Sequence, residues 1–444
     1  MGRVVWWSIA VAMGGFLFGF DTAVISGADQ PLQRLWQTSD LVHGALVMSS
    51  ALWGTVLGAL SGHLPCDAFG RRRTLVLIGV LYLLSAIGSA LATDPTFFAV
   101  MRFVGGLGVG VSSIVVPAYI SEIAPASVRG RLVALYQFQL VFGILVAYLS
   151  NFLLAGAGFD WRWMLGIEAI PAAIFLFLVL RVPESPRWLL LCRGDEAGAA
   201  AVLNSIDPDA VTRVLGEIRE TAAHAARDRL FSLQFAFPAL LVFLLALFNQ
   251  LSGINFIIYF APRVFEVAGL DASSALLSTA GIGVVNLLGT MLGLYLIDRS
   301  GRRFLMLAGS VGYIVSLCAV AWAFASGAGG MVVVGFVFLF IVSHAIGQGA
   351  VIWVFIAEVF PNSIRTKGQS LGCGTHWVAA AMIALLMPFF LNRFPASGIF
   401  AFFAAMMFLQ LLYVIFLMPE TKGRSVESLG EDIAAHGRTV ADNA

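Results

Sequence analysis

Charge is what this 444-residue chain has least of: Asp, Glu, Lys and Arg make up 11% of it, against about 25% in a soluble domain. A water-soluble globule of this composition would expose far too much apolar surface. The few charges nearly cancel, 26 Lys and Arg against 25 Asp and Glu, so no basic face for nucleic acid is available. Cysteine is scarce as well. Cys66, Cys192, Cys318 and Cys373 are scattered without metal-ligand spacing and read as unpaired thiols. The chain has no His-Glu-x-x-His, no Gly-x-Ser-x-Gly and no paired catalytic acids, so no catalytic, metal-binding or cofactor-binding residues are expected. It also has no Gly-x4-Gly-Lys-Ser/Thr loop, which argues against an ATP-driven pump. Disorder is excluded by 36 Phe and 10 Trp.

What is present is apolar: 59% of residues are hydrophobic and the mean hydropathy is +0.91. A helix needs about 20 residues to cross a hydrocarbon core of roughly 30 Å. Twelve such runs are centred near Phe16, Leu52, Leu83, Gly110, Val141, Phe175, Leu247, Val285, Val315, Phe338, Ala381 and Ala405. They do not alternate as barrel strands would, and small residues scattered through them let helices approach closely in lipid. An all-α protein of twelve membrane-spanning helices is predicted. The first run is longer than a signal-peptide core, contains Asp21 and shows no clear cleavage site, so it is expected to be retained. Short loops rich in Arg and Lys (71–73, 129/131, 299–303, 365/367, 422/424) fall on one side, which places both termini in the cytosol of a cell in its plasma or inner membrane.

The two halves echo each other. Asp67-Ala-Phe-Gly-Arg-Arg-Arg73 returns as Asp298-Arg-Ser-Gly-Arg-Arg303 after 231 residues. Glu122-Ile-Ala-Pro-Ala-Ser-Val-Arg129 returns as Glu358-Val-Phe-Pro-Asn-Ser-Ile-Arg365, and Pro183-Glu184-Ser185 as Pro419-Glu420-Thr421, both after 236 residues. A near-constant offset indicates duplication, the architecture of secondary transporters that rock one half against the other. Between the halves, residues 182–234 hold 14 of the 51 charged residues and read as a cytosolic helical linker, with a polar helix over Arg213–Arg229. The expected division is a bundle at 1–181, the linker at 182–234, a bundle at 235–418 and a cytosolic tail at 419–444.

Ionisable and amide side chains inside the runs are functional candidates by default. Asp21 has apolar residues on both sides, Arg102 opens the fourth span and is its natural partner, and Glu168 in span six is placed to tune the pair. Burial disfavours an ionised carboxyl and a guanidinium favours it, so a carboxyl poised between the two effects can load and release a proton. Hydroxyl-rich cargo calls for amides, which both donate and accept, and for an aromatic face. The candidates are Gln137, Asn249, Gln250, Asn255 and Asn286, with indoles at Trp353 and Trp377 and with Tyr259 placed to close the outside.

The set Gly62…Asp67-x-x-Gly70-Arg71-Arg72, Pro183-Glu184-Ser185-Pro186-Arg187-Trp188-Leu189, Gly293…Asp298-Arg299-x-Gly301-Arg302-Arg303 and Pro419-Glu420-Thr421-Lys422-Gly423 resembles the sugar porters of the major facilitator superfamily, from about Gly14 to Gly423. The resemblance implies the major facilitator fold, two six-helix bundles with pseudo-twofold symmetry, working as a monomer by alternating access. It implies that Asp67, Arg71, Glu122, Arg129, Glu184 and Arg187, with Asp298, Arg302, Glu358, Arg365 and Glu420, latch the cytosolic face while the outside is open. It implies sugar contacts at Gln137, Gln250, Asn255, Asn286, Trp353 and Trp377, with Gly349 letting span ten bend. Asp on the first span with Arg on the fourth resembles the family's proton symporters, whereas passive facilitators usually carry a neutral residue at the Asp position. The expectation is a proton-coupled monosaccharide symporter; the alternatives are a passive uniporter, or a porter-fold sugar sensor with a longer tail than the 25 residues after Pro419.

The sequence departs from the family pattern in places. Asn249 stands where the first of two Gln is usual, and Ile144 where a bacterial xylose–proton member has Gln. His376 stands where hexose porters carry Asn or Gln. His344 and His376 resemble the animal fructose facilitators, which makes fructose a candidate cargo.

Overall fold

A computed structural model describes residues 2–125, 127–223, 235–360 and 364–423. Among them every regular element is helical. Eleven segments are long and apolar enough to cross a membrane, and twelve if a bent pair is counted as one span. That pair is the second span, where the chain turns by 43° between Asp40–Met48 and Ser50–Ser61. The uniform run seen in sequence is therefore a broken one, with five residues of π-helix, Gly44–Met48, at the joint.

The helices in chain order are α1 (Gly2–Trp36), α2 (Asp40–His43), α3 (Ser50–Ser61), α4 (His63–Phe69), α5 (Arg71–Ala90), α6 (Pro95–Ile123), α7 (Arg129–Gly156), α8 (Trp161–Gly166) and α9 (Ala169–Val179). The linker contributes α10 (Pro186–Arg193), α11 (Glu196–Ile206) and α12 (Val211–Ala223). The chain continues with α13 (Ala236–Leu251), α14 (Ile254–Val267), α15 (Ala272–Ser300), α16 (Arg302–Ser326), α17 (Gly330–Ile346), α18 (Gln348–Val359), α19 (Arg365–Arg393) and α20 (Ala396–Phe416). The part of the expected linker helix beyond Ala223 lies outside the described residues, as does the tail beyond Gly423.

Contacts divide the chain into two compact units, Met1–Trp36 with Ser50–Ala225, and Gln37–Ser49 with Ala226–Ala444. The linker helices thus belong with the first unit, while residues 37–49 pack with the second. There Asn392 Nδ2 donates to Asp40 Oδ1 at 2.7 Å, and Gly44 lies so close to the Leu385 carbonyl that no Cβ would fit.

Small residues bring the helices of the first unit together, as lipid-embedded packing favours. Gly19 and Gly143 seat α1 directly on α7, and Gly54, Gly106 and Gly110 do the same for α3 and α6. Helix starts are fixed locally. Asp94 accepts from Thr96 N and Phe97 N to cap α6, with Pro95 in the first turn. The linker docks by Trp188 Nε1 donating to the Asp67 carbonyl at 3.0 Å and by a small core of Ala199, Leu203 and Leu215. In the second unit, Leu241, Val242, Phe355, Ile356 and Val414 pack into one core with Tyr413, whose Oη donates to the Leu241 carbonyl at 3.0 Å. Outward faces stay apolar: Trp163, Leu288, Phe304 and Phe416 are all more than half exposed, as suits a lipid-facing surface.

Candidate functional site

Three ionisable groups meet inside the first unit. Arg102 on α6 donates from Nη1 to Asp21 Oδ1 on α1 at 2.5 Å and from Nη2 to the Asp21 carbonyl at 3.0 Å. Glu168, just before α9, sets its carboxyl beside that of Asp21. Asp21, Arg102 and Glu168 are 2%, 1% and 1% exposed, so none is held by water. Gly105 leaves room for the Ser85 side chain, with Asp21 Oδ1 next to it, 3.6 Å from where a Cβ would stand. Two acids therefore share one guanidinium in an apolar surround, and ionising both would leave an uncompensated buried charge. Tyr82, which sequence reasoning did not single out, is buried in the same neighbourhood.

The second unit has a neutral polar centre. Between α13 and α14 the chain breaks at Gly253, whose φ of +85° only glycine adopts readily. The break turns Asn255 back toward Asn249 and Gln250, which precede it by six and five positions. Asn255 Nδ2 donates to Gln250 Oε1 at 2.9 Å, and Gln250 Nε2 donates to Asn249 Oδ1 at 3.1 Å. Gln250 Nε2 also faces the ring nitrogens of His376 on α19 at 3.1 and 3.2 Å. The His376 ring lies between two indoles, 5.0 Å from Trp353 on α18 and 4.7 Å edge-on from Trp377. Trp353 is the exposed member at 36%, while Gln250 is fully buried. Asn286 is buried on α15 and Tyr259 on α14. Gln137 lies half-buried on α7 of the first unit.

One placement is corrected. The irregularity in span ten falls at Gly347, between α17 and α18, and not at Gly349. Gly347 approaches Gly309 of α16 to within what a Cβ would fill, so the chain must be bare there. Gly349 packs closely as well: a Cβ on it would lie 3.1 Å from the His344 carbonyl and 3.2 Å from His344 Nε2, so its neighbour would have to give by a few tenths of an ångström. His344 in turn belongs to a buried network that sequence reasoning missed, comprising Ser310, Tyr313, Gln348 and Gln410. The available signal was single polar residues inside apolar runs.

The repeated Gly-Arg-Arg motifs build the same corner twice. Arg71 grips Glu122 with two bonds, Nε to Oε2 at 3.1 Å and Nη2 to Oε1 at 3.0 Å. Arg302 grips Glu358 likewise, at 3.1 and 2.8 Å. Such bidentate pairs are the strong form of the contact. Asp67 and Asp298 stand further off, 3.6 and 3.3 Å from Arg71 and Arg302. Glu184 accepts from the backbone N–H groups of Arg71 and Arg72, and Glu420 from those of Arg302 and Arg303. Each acid thereby caps the helix that follows a Gly-Arg-Arg loop. Burial would push the Glu420 carboxyl up, but backbone donors at Lys422, Arg302 and Arg303 outweigh it and hold the group below the usual glutamate value. Burial pushes the Cys66 thiol, next to Arg71, up to about 11. Arg129 donates to the Ala124 carbonyl at 3.4 Å, Arg187 is half-buried on α10, and the Arg365 side chain lies outside the described residues. Among the described residues no group of three or more His, Cys, Asp or Glu could hold a metal ion.

A family model described as "Sugar (and other) transporter" matches residues 7–433. The D-xylose–proton symporter of Escherichia coli (strain K12) is 32% identical over 462 residues, covering 95% of this chain and 94% of that protein. The glucose transport protein of Synechocystis is 35% identical over 449 residues, covering 94% and 95%. A solved structure of the E. coli xylose transporter, described as a partially occluded inward-open conformation, superposes with a TM-score of 0.87 at 31% identity, covering 96% of this chain and all of that one. Membership of a transporter family excludes an enzyme, and with the duplicated corners, the all-helical fold and matches along nearly its full length, this chain belongs to the sugar transporter family of the major facilitator superfamily.

Proposed function

We propose that the chain is a symporter that carries an aldose and a proton together across a cell membrane, with both termini in the cytosol and one chain as the working unit. The observation that carries the coupling is the sealed bridge between Asp21 and Arg102 with Glu168 at its side. A neutral facilitator needs no acid there. An acid whose ionised form is held by one guanidinium and crowded by a second acid can take up a proton on one side and give it up on the other. Proton uptake by Asp21 would loosen Arg102, Glu168 would settle which acid holds the proton, and the freed α1–α6 contact would let the bundle rearrange.

The sugar reading rests on the second unit. Amides at Asn249, Gln250 and Asn255 offer donors and acceptors in pairs, and the Trp353 indole offers a flat apolar face for C–H groups. Asn286 and Trp377 extend the set, Tyr259 is the closing residue, and Gln137 is the first unit's own candidate for a sugar hydroxyl. The relatives named above carry xylose and glucose, both aldoses. That reading replaces fructose, which His344 and His376 suggested from sequence. His376 is engaged with Gln250 and stands in for an amide. At the cytosolic corners, the Arg71–Glu122 and Arg302–Glu358 pairs, with Glu184 and Glu420 behind them, are the proposed latches.

The test is uptake of labelled xylose, glucose and fructose into proteoliposomes with and without an imposed proton gradient. Accumulation of an aldose that requires the gradient, with alkalinisation of the medium, is expected. Uptake that only equilibrates would point to a uniporter, and strong competition by fructose alone would overturn the choice of cargo.

A further inference from the structure

Span ten carries two of the groups assigned above, Trp353 and Glu358, on α18, beyond its break at Gly347. Across the break the ladder continues through Gly347, whose N–H donates to the Ser343 carbonyl and whose carbonyl accepts from Val351 N–H, both at 3.1 Å, so α18 needs further support to hold its direction. Three residues on one face of α16 meet the break. Gly309 lies against Gly347. One turn later, Tyr313 Oη is 2.5 Å from His344 Nδ1, at the end of α17, and 3.0 Å from Gln348 Oε1, at the start of α18. Beside them, Ser310 accepts from Gln410 Nε2 at 2.9 Å, and Gln410 Oε1 accepts from Gln348 Nε2.

The donors run in one direction. Ser310 Oγ gives its proton to the Met306 carbonyl, so it must accept from Gln410. Gln410 and Gln348 each spend an amide N–H along the chain, and Gln348 Oε1 takes the Tyr313 proton. His344 must then donate from Nδ1, which leaves its Nε2 an acceptor. Ser310, Tyr313, Gln348 and Gln410 are all buried and each is bonded to another member of the chain, and a buried network joined in this way favours one geometry.

The duplicated half supplies a comparison. Tyr82 follows Arg71 by eleven residues, as Tyr313 follows Arg302, and Ser112 precedes Gln348 by 236, the offset of the repeat. Yet α6 runs unbroken through Ser112. The long-armed Gln348 and its partner Gln410 occur in the copy whose helix is interrupted.

We propose that Tyr313 is a positioning residue: its hydroxyl, bonded to His344 and Gln348 on either side of Gly347, staples the two parts of span ten and holds Trp353 over His376. The proposal rests on reading Trp353 and His376 as sugar contacts. Tyr313→Phe removes one oxygen and keeps the ring packed on Phe340. It raises the KM for sugar about fivefold, the factor one net hydrogen bond is worth, and leaves the maximal rate nearly unchanged. Because Tyr313 acts through Trp353, adding Tyr313→Phe to Trp353→Phe raises KM little further. Independently of transport, spin labels at positions 335 and 357, with the four native cysteines replaced, report a broader distance distribution across Gly347 in Tyr313→Phe. Gln348→Met reads the same joint should Tyr313→Phe fail to insert. A label distribution as narrow as that of the parent, or KM effects of the two variants that multiply, overturns the staple. Parent protein that moves no monosaccharide overturns the sugar reading alone, with the label distances still deciding the staple.

Discussion

Replacing Asp21 by Asn separates energy coupling from transport. The variant keeps the size of the side chain and one acceptor for Arg102, but it cannot take up a proton. Asp21 as the single proton carrier, as proposed, sets one proton per sugar. A gradient of one pH unit is worth about 1.4 kcal/mol per proton, or tenfold accumulation of sugar. A potential of 100 mV adds about 2.3 kcal/mol per charge, roughly another fiftyfold. The parent is expected to approach these ratios, and Asp21→Asn to stop at a ratio of one while still exchanging labelled for unlabelled sugar. Losing one partner of a buried pair ordinarily costs about 3–5 kcal/mol. Here the loss should fall at or below the low end, because Arg102 retains the Asp21 carbonyl at 3.0 Å and has Glu168 beside it as a replacement counter-ion. Proteoliposomes with an imposed pH step measure accumulation, and counterflow in the same vesicles confirms that the variant is folded. Uphill accumulation by Asp21→Asn would refute the assignment.

Two further outcomes follow from the Gly-Arg-Arg corners. Gly301 has φ +87° and ψ 161°, and a Cβ on it would lie 2.6 Å from Glu420 Oε2; Gly301→Ala should cost about 1–3 kcal/mol and lower the thermal midpoint in detergent by about 1–3 °C, and an unchanged midpoint would show that the corner yields. Glu420 is held below its ordinary value of 4.5 by backbone donors, so it stabilises the fold above that pH and stops doing so as pH falls through its lowered value; the midpoint difference between the parent and Glu420→Gln should be full at neutral pH and vanish in acid, and a difference independent of pH would contradict the capping role.

Much of this molecule was legible in sequence because its chemistry is set by contrast. An acid, a guanidinium or an amide within an apolar run is expensive in lipid, so Asp21, Arg102, Glu168 and Gln250 announce themselves, and their burial bears directly on what they are for. The duplicated motifs were equally plain, yet their wiring was not. That Glu184 and Glu420 would take backbone N–H groups, and not only guanidinium groups, depends on the turn at Gly70 and Gly301, which leaves the first amides of α5 and α16 without helical partners. The break in span two was hidden because residues on both sides of it are apolar, and composition does not register a π-helical turn. The polar network around Tyr313 joins residues 31 to 100 positions apart. No spacing rule reaches across that distance, and sequence does not place the break at Gly347 because that depends on the close approach of Gly309 on α16.

The charged centre of one unit and the uncharged centre of the other are housed in copies of a common scaffold, and the division has an evolutionary consequence. On the proposed roles, a lineage facing a new nutrient could edit the amides and indoles of the second copy while Asp21 and Arg102 of the first go on harvesting the same gradient. One facing a de-energised habitat could neutralise Asp21 and keep its diet. Ancestral duplication thus left two dials that selection can turn separately, and descendants with unlike cargo but a shared energy source are the natural result.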